Sequence, residues 1–278
     1  MVALSKEAPV DEVLAAVLGP GARTTRALAG DGGATTRAAT GPGGEQLVVK
    51  TAPAVAAPDL LRAARAQEAA RRVGVPVPRT IAAEVVAGTQ VHVSERVAGH
   101  RWSDVHPHAG DDARRVVLAE LAEVLVRLRA VAQDGFGDLG TPGGSERDAL
   151  RERTRRRVRA GWRLDAAERV LDRYDGLLDG AGGAVLVHGD LHHANVLVAP
   201  VGGVWRLAAV LDWDSAWAGP ADADAARAAL WDGMPGSPDA VDERAAVQQL
   251  LWCLEYGDEG ARHRADTARL AGRLGVPL

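Results

Sequence analysis

The sequence predicts an α+β protein: an N-terminal antiparallel sheet with a helix on it, followed by a larger, mainly helical part. Three observations carry that reading. Between residues 26 and 97, short apolar runs alternate with glycine turns at hairpin spacing. From residue 111 onward, longer segments with helical periodicity take over. Within that helical half, the stretch 185–214, VLVHGDLHHANVLVAPVGGVWRLAAVLDWD, returns to short apolar strands around a polar loop.

At 278 residues and 47% hydrophobic content, the chain can bury a sizeable core as one large domain or two lobes. With one Phe and two Tyr, the seven Trp must supply much of the bulky packing. A formal net charge of -4 lacks the basic footprint of a nucleic-acid binder. Cys253 is the only cysteine, so no intrachain disulfide forms, and its apolar surroundings predict a buried, unreactive thiol. The opening residues carry Lys6, Glu7, Asp11 and Glu12 and no long apolar run, which predicts no signal peptide. No uncharged run is long enough to span a bilayer, so the expectation is a soluble, cytoplasmic protein with no membrane contact and no feature that calls for a protein partner.

Taken in order, residues 10–18 have helical spacing and stop at Gly19-Pro20-Gly21. Residues 26–40 read as strand, glycine turn, strand, and a second turn at 41–44 leads into a strand over 46–51. The first turn holds Gly32, Gly33 and Thr35 and lets backbone N–H groups approach an anion, although most such turns are simple hairpins. Lys6 and Lys50 are the only lysines in an arginine-rich chain, which singles out Lys50 after Leu47-Val48-Val49. Residues 60–73 form a helix of strong formers, closed by Gly74 and the extended Val75-Pro76-Val77-Pro78. Two strands over 81–97 break at Gly88-Thr89. Residues 111–132 form a long helix with Val116, Leu118, Leu121, Val124, Leu125 and Leu128 on one stripe. A glycine-rich passage over 134–145 precedes a helix with six arginines between Arg151 and Arg159, interleaved with acids and read as a solvated face. Residues 245–256 are apolar nearly all round and predict a buried helix.

The chemistry lies in 185–214. Strands over 184–187 and 196–198 enclose the polar loop 188–195, and a third strand, 207–211, ends on Asp212. Asp190 and Asn195 share one loop and Asp212 follows the next hairpin, so a carboxylate, an amide oxygen and a second carboxylate converge at the same strand ends. Such hard oxygens suit Mg²⁺, which keeps waters and takes remaining ligands from substrate phosphates. That is equipment for phosphoryl transfer. His188, Asp190, His192 and His193 also make a set that suits Zn²⁺ and hydrolysis, but a zinc hydrolase requires neither Asn195, nor Lys50, nor Asp212.

HGDLHHAN matches the HGDxxxxN catalytic loop, and LDWD the metal-binding strand end, of the aminoglycoside phosphotransferase family, small-molecule relatives of the protein kinases, and this resemblance covers nearly the whole chain. It implies a two-lobed, protein-kinase-like fold, with a nucleotide-binding lobe over 1–96 and a catalytic and substrate-binding lobe over 97–278. It implies ATP or GTP with Mg²⁺ as cofactors. Lys50 takes the position of the kinase strand-three lysine, Asn195 and Asp212 those of the metal ligands, and Asp190 that of the group that receives or orients the acceptor hydroxyl. The segment with Ser94 and Arg96 resembles the hinge whose backbone binds adenine. His188 and Asp224 fall to structural roles around the loop; Asp214 touches metal or substrate, or ends the strand. The family's lysine-holding glutamate falls on Ala64, so Glu68 reaches Lys50 from one turn further along, or else meets Arg65 or Arg72 on the surface.

Between residues 212 and 259, eleven acids stand against two arginines, Arg227 and Arg244. Singly, most such acids cap helices or meet solvent; together they form an acidic wall that attracts a polycation, with Asp214, Glu255, Asp258 and Glu259 on the substrate side. The expectation is a phosphotransferase that moves the γ-phosphoryl group to a hydroxyl of a small cationic antibiotic and so confers resistance. An aminoglycoside is one such acceptor; a cyclic peptide of the viomycin and capreomycin type is another, since the strand end and following Gly-Pro segment resemble the kinases of those peptides. A kinase of choline, a sugar or an amino alcohol is the alternative, and a nucleotide-binding module without turnover is a further one.

Overall fold

A computed structural model describes residues 10–28, 33–55, 58–141, 143–178, 182–237, 241–256 and 260–278. Helix α1 (Val10–Leu18) leads into strands β1 (Arg23–Ala27), β2 (Thr35–Thr40) and β3 (Gln46–Pro53). Helix α2 (Leu60–Arg72) follows, then β4 (Thr80–Val86) and β5 (Thr89–Glu95). These strands form one antiparallel sheet in the order β1-β2-β3-β5-β4. Its register sets Lys50 beside Thr36 on one side and His92 on the other. Val13 and Leu14 of α1 bury against Leu47, Val49, Val91 and Val93, which closes one face of the sheet. The Asp59 side chain accepts from the Arg62 amide at 2.9 Å and so caps the start of α2.

The remainder is mainly helical. A two-residue strand, β6 (His100–Arg101), precedes the short helix α3 (Trp102–Val105) and the long α4 (Asp111–Arg129). Next come α5 (Glu146–Arg157), α6 (Trp162–Arg173) and α7 (Asp175–Leu178). Strands β7 (Val185–Val187), β8 (Val196–Val201) and β9 (Val204–Val210) carry the polar loops, and β10 (Trp217–Gly219) pairs back on β7. Helices α8 (Ala223–Ala228), α9 (Glu243–Tyr256) and α10 (Ala261–Leu274) complete the chain. The glycine-rich passage is docked by bridges between Phe136 and Gly144 and between Gly137 and Ala218.

One core runs from α2 (Ala63, Ala66, Ala70) through α4 to Leu191, Val196, Val210 and Trp213, so β8 and β9 sit on the same apolar mass as α2. A second core packs α5, α6, α9 and α10 around Val187 and Trp217. The buried stripe of α4 is Val117, Leu121, Val124, Leu125 and Leu128; Val116 and Leu118 are only partly covered, because the helix presents Val117 inward at i−4 from Leu121. Burial pushes the Cys253 thiol up to about 12, which leaves it unreactive. Among the described residues no helix is long and apolar enough to cross a membrane.

Leu121 is wholly buried in the core that joins α4 to the catalytic strands. Leu121→Ala is expected to lower unfolding free energy by about 2–5 kcal/mol, read as a shifted urea midpoint with an unchanged slope.

Candidate active site

The loop between β7 and β8 is held from behind. Asp224, at the start of α8, accepts from the His188 amide at 2.7 Å and the Gly189 amide at 2.9 Å. The Asp190 amide donates to His188 Nδ1 at 3.2 Å, so the proton sits on Nε2, which donates to the Leu211 carbonyl at 2.8 Å. The imidazole packs on Trp213 with ring centres 4.6 Å apart. Gly189 has φ +76, and a Cβ there would lie 2.4 Å from the Ser215 carbonyl oxygen, so the loop requires glycine on two counts.

On this frame Asn195 turns its amide nitrogen toward Asp190, 2.9 Å from the backbone oxygen and 3.2 Å from Oδ2, leaving its carbonyl oxygen for a cation. The Leu211 amide donates to the Asn195 backbone carbonyl at 2.8 Å and ties the loop to the end of β9. There Asp212 adopts φ +64, a left-handed conformation uncommon outside glycine, and Trp213–Ser215 form a 3₁₀ turn that presents Asp214. Lys50 Nζ reaches across from β3 to Asp212 Oδ1 and Asp214 Oδ2, both at 2.8 Å.

Burial works to raise the Asp212 carboxyl, but the Lys50 ammonium overrides it and holds the group below its ordinary value. For Asp214 burial wins, with the Asp212 charge adding, and the carboxyl is raised. Lys50 itself is raised: burial opposes its charge, and the two carboxylates outweigh burial. His92, beside Lys50 in the sheet, is pushed down to about 4 by burial and then by the lysine's charge.

These groups line a cleft of about 460 Å³ between the sheet and the catalytic strands. Lys50, Ser94, Arg96, Asn195, Asp212 and Asp214 all face it, with Val48, Leu197 and Leu211 as apolar walls. Thr35 does not; side chains alternate along β2, so Ala34 and Thr36 point inward instead. Gly33 has φ +86 at the entry to β2, whereas Gly32 lies outside the described residues. The Arg96 amide donates to the Gln46 carbonyl and the Glu95 amide to the Arg79 carbonyl, so those two hinge donors serve the sheet rather than a base.

Of the two expectations for Glu68, the structure has the surface pairing with Arg72 and not the reach to Lys50. Glu68 does not approach Lys50. It binds Arg71 at 2.7 Å and Arg72 at 3.5 Å on the outer surface, because the inward face of α2 carries Ala63, Ala64 and Gln67, and the next residue turns outward. Asp214 is the lysine's second carboxylate in its place.

Several acids of the expected wall are paired within the protein. Glu255 meets Arg157 at 2.7 Å and Arg153 at 3.5 Å; Asp222 meets Arg244 at 2.8 Å, and Asp232 meets Arg262 at 2.6 Å. Asp242 caps the Ala245 amide at 2.8 Å. Asp258 and Glu259 lie outside the described residues. The arginine-dense α5 is correspondingly not all solvated, for Arg153 and Arg157 turn into the protein.

Sequence reasoning missed the groups that contact Asp190. Arg227 on α8 donates to Asp190 Oδ1, and Tyr256 Oη donates to the same oxygen at 3.2 Å. The signal was there: Arg227 is one of only two arginines in an acidic stretch. His192 Nε2 stands 3.8 Å from Asp190 Oδ2; burial pushes this imidazole down to about 4, so it is neutral at pH 7. His188 and His192 spend ring nitrogens on Leu211, Asp190 and Ala194, and among the described residues no three His, Cys, Asp or Glu side chains gather as a metal site. That arrangement does not suit the zinc alternative.

The family model of APH, described as a phosphotransferase enzyme family, matches residues 24–264. The chain belongs to that family. It is accordingly a phosphotransferase with an alcohol group as acceptor. No protein of curated function matches it in sequence. A thermostable mutant of aminoglycoside phosphotransferase APH(4)-Ia, solved with AMP-PNP and hygromycin B, is similar in structure with a TM-score of 0.67, at 19% identity and over 96% of each chain. A candidate fructosamine-3-kinase from Thermobifida fusca gives 0.62 at 20% identity, over 95% of this chain and 98% of that one. Amicoumacin kinase, solved with AMP-PNP, Ca²⁺ and its antibiotic, gives 0.60 at 12% identity, over 97% and 93%. The shared fold is the kinase-like one.

Two outcomes are expected from this geometry. Asp214→Asn leaves Lys50 with one carboxylate and is expected to lower kcat/KM for the nucleotide about tenfold or more, while Glu68→Ala leaves it unchanged; steady-state kinetics compare the two. His92 titrates at about 4 when folded and near 6.5 when unfolded, so the unfolded state takes the proton first. Stability is then complete above the unfolded value and falls as pH drops through it toward the folded one, by roughly 2 kcal/mol from pH 7 to pH 5. His92→Gln is expected to flatten that part of the pH dependence in denaturant titrations.

Proposed function

We propose that this chain transfers the γ-phosphoryl group of ATP or GTP, bound with Mg²⁺, to a hydroxyl of a small molecule. The observation that carries the reading is the convergence of Lys50, Asn195 and Asp212 at one cleft from segments far apart in sequence, with Asp190 hydrogen-bonded to Asn195 beside it. Residues 1–96 act as the nucleotide lobe and 97–278 as the catalytic and acceptor lobe. The Asp212 carboxylate and the Asn195 carbonyl oxygen are hard donors suited to Mg²⁺, and they are the residues that would hold it. When bound, the ion neutralises charge on the phosphates. Lys50 binds the phosphates from the sheet side, Asp190 orients the acceptor hydroxyl and receives its proton, and Val48, Leu197 and Leu211 keep the base out of water. Cytoplasm, where these nucleotides are abundant, is the compartment that matches the chemistry.

The acceptor is a small hydroxylated compound, an antibiotic or a metabolite. A cationic antibiotic, aminoglycoside or cyclic peptide, draws support from neighbours solved with hygromycin B and amicoumacin. The pairing of Glu255, Asp222 and Asp232 with arginines leaves these three acids less available to a polycation, and favours an acceptor read through hydroxyls and rings, such as a sugar. Mass spectrometry of acceptors incubated with Mg-ATP or Mg-GTP tests both classes. A gain of one phosphoryl group on a sugar or amino alcohol supports the metabolite, the same gain on an aminoglycoside or cyclic peptide supports the antibiotic, and Asp190→Ala is expected to lower either rate by about 100-fold or more.

A further inference from the structure

We infer that Arg227 is a positioning residue for Asp190, holding its carboxylate so that one oxygen site alone is left for the acceptor hydroxyl; this rests on the phosphoryl-transfer reading. Arg227 is 5% exposed, and its contact with Asp190 Oδ1 is made by Nη2. Its Nε and Nη1 are buried without a hydrogen-bond partner among the described residues. The guanidinium is instead stacked, 3.8 Å from the centre of the Trp252 ring and 5.2 Å from that of Tyr256. A buried cation with a single carboxylate partner is costly to detach, so the pair acts as a rigid unit rather than a passing surface contact.

Among the described residues the partners of the carboxylate are Arg227, Tyr256 and Asn195. Two oxygens offer about four lone-pair sites. Oδ1 receives Arg227 and Tyr256, and Oδ2 receives Asn195. His192 Nε2, at 3.8 Å, is beyond hydrogen-bond reach. One site remains, on Oδ2, and the incoming hydroxyl takes it. Tyr256 is held in turn by Arg157 Nη2 at 3.0 Å, and Arg157 by Glu255 at 2.7 Å, so the same oxygen is fixed from two helices, α8 and α9.

The test uses the full chain with Mg-ATP and water as the acceptor, and compares the unaltered protein with Arg227→Ala and Arg227→Lys. Turnover, nucleotide Kd and melting temperature are measured, with and without added guanidinium ion. Arg227→Ala is expected to lose about 10- to 100-fold in kcat, with Kd for Mg-ATP within about twofold of the parent. Guanidinium ion is expected to restore part of the loss in Arg227→Ala, and Arg227→Lys to retain part of the parent rate. A rate in Arg227→Ala equal to that of the unaltered chain overturns the role, as does a loss that follows a collapsed melting temperature and does not respond to guanidinium. Absence of turnover in the unaltered chain with water and with every acceptor class named above removes the phosphoryl-transfer reading and this role with it; turnover there with an indifferent Arg227→Ala removes the role alone.

Discussion

The active site depends on one buried carboxylate that does no chemistry. Asp224 accepts the amides of His188 and Gly189 and thereby fixes the backbone on which Asp190 stands. Charge-assisted bonds from backbone N–H groups to a carboxylate are short and directional, so this brace specifies a conformation rather than merely adding stability. Everything next in the loop inherits that precision. The imidazole of His188 is oriented by its two hydrogen bonds and by Trp213, and Gly189 passes so near Ser215 that no side chain fits.

The brace also explains the order of the chain. Asp224 lies beyond Asp212, and β10 pairs with β7, so the segment after the metal-side aspartate returns behind the loop before α8 begins. Arg227 and Asp224 are three apart on the same short helix, so one turn supplies both the brace beneath the loop and the guanidinium on Asp190. The loop's position and the carboxylate's orientation are therefore coupled through α8.

Local spacing made much of this legible in the sequence. The polar loop between apolar strands, the glycine turns and the helix stops follow from neighbours within about ten residues, and they place Asp190, Asn195, Asp212 and Lys50 at strand ends. What failed required angles or distant partners. Thr35 against Thr36 is a question of strand parity, and Glu68 against Gln67 is a rotation of about 100° on a helix. The acidic count misled because a sum over sequence ignores tertiary pairing: Glu255 finds Arg153 and Arg157 on α5, about a hundred positions earlier, and Asp232 finds Arg262. The same oversight turned α5 into a solvated face.

Lys50 shows why a lysine persists in a chain that otherwise uses arginine. Its compact ammonium lies 2.8 Å from two carboxylates that belong to one 3₁₀ turn and its leading residue. A guanidinium is planar and spreads its charge, so it bridges two carboxylates through different nitrogens, whereas the ammonium meets both oxygens from one atom. Asp212 reaches this position only through a left-handed backbone, a conformation that costs about 1 kcal/mol or more. The ion pair with Lys50 and the burial of Trp213, 1% exposed, hold that strain in place, so the lysine sets the geometry of the Asp212 carboxylate.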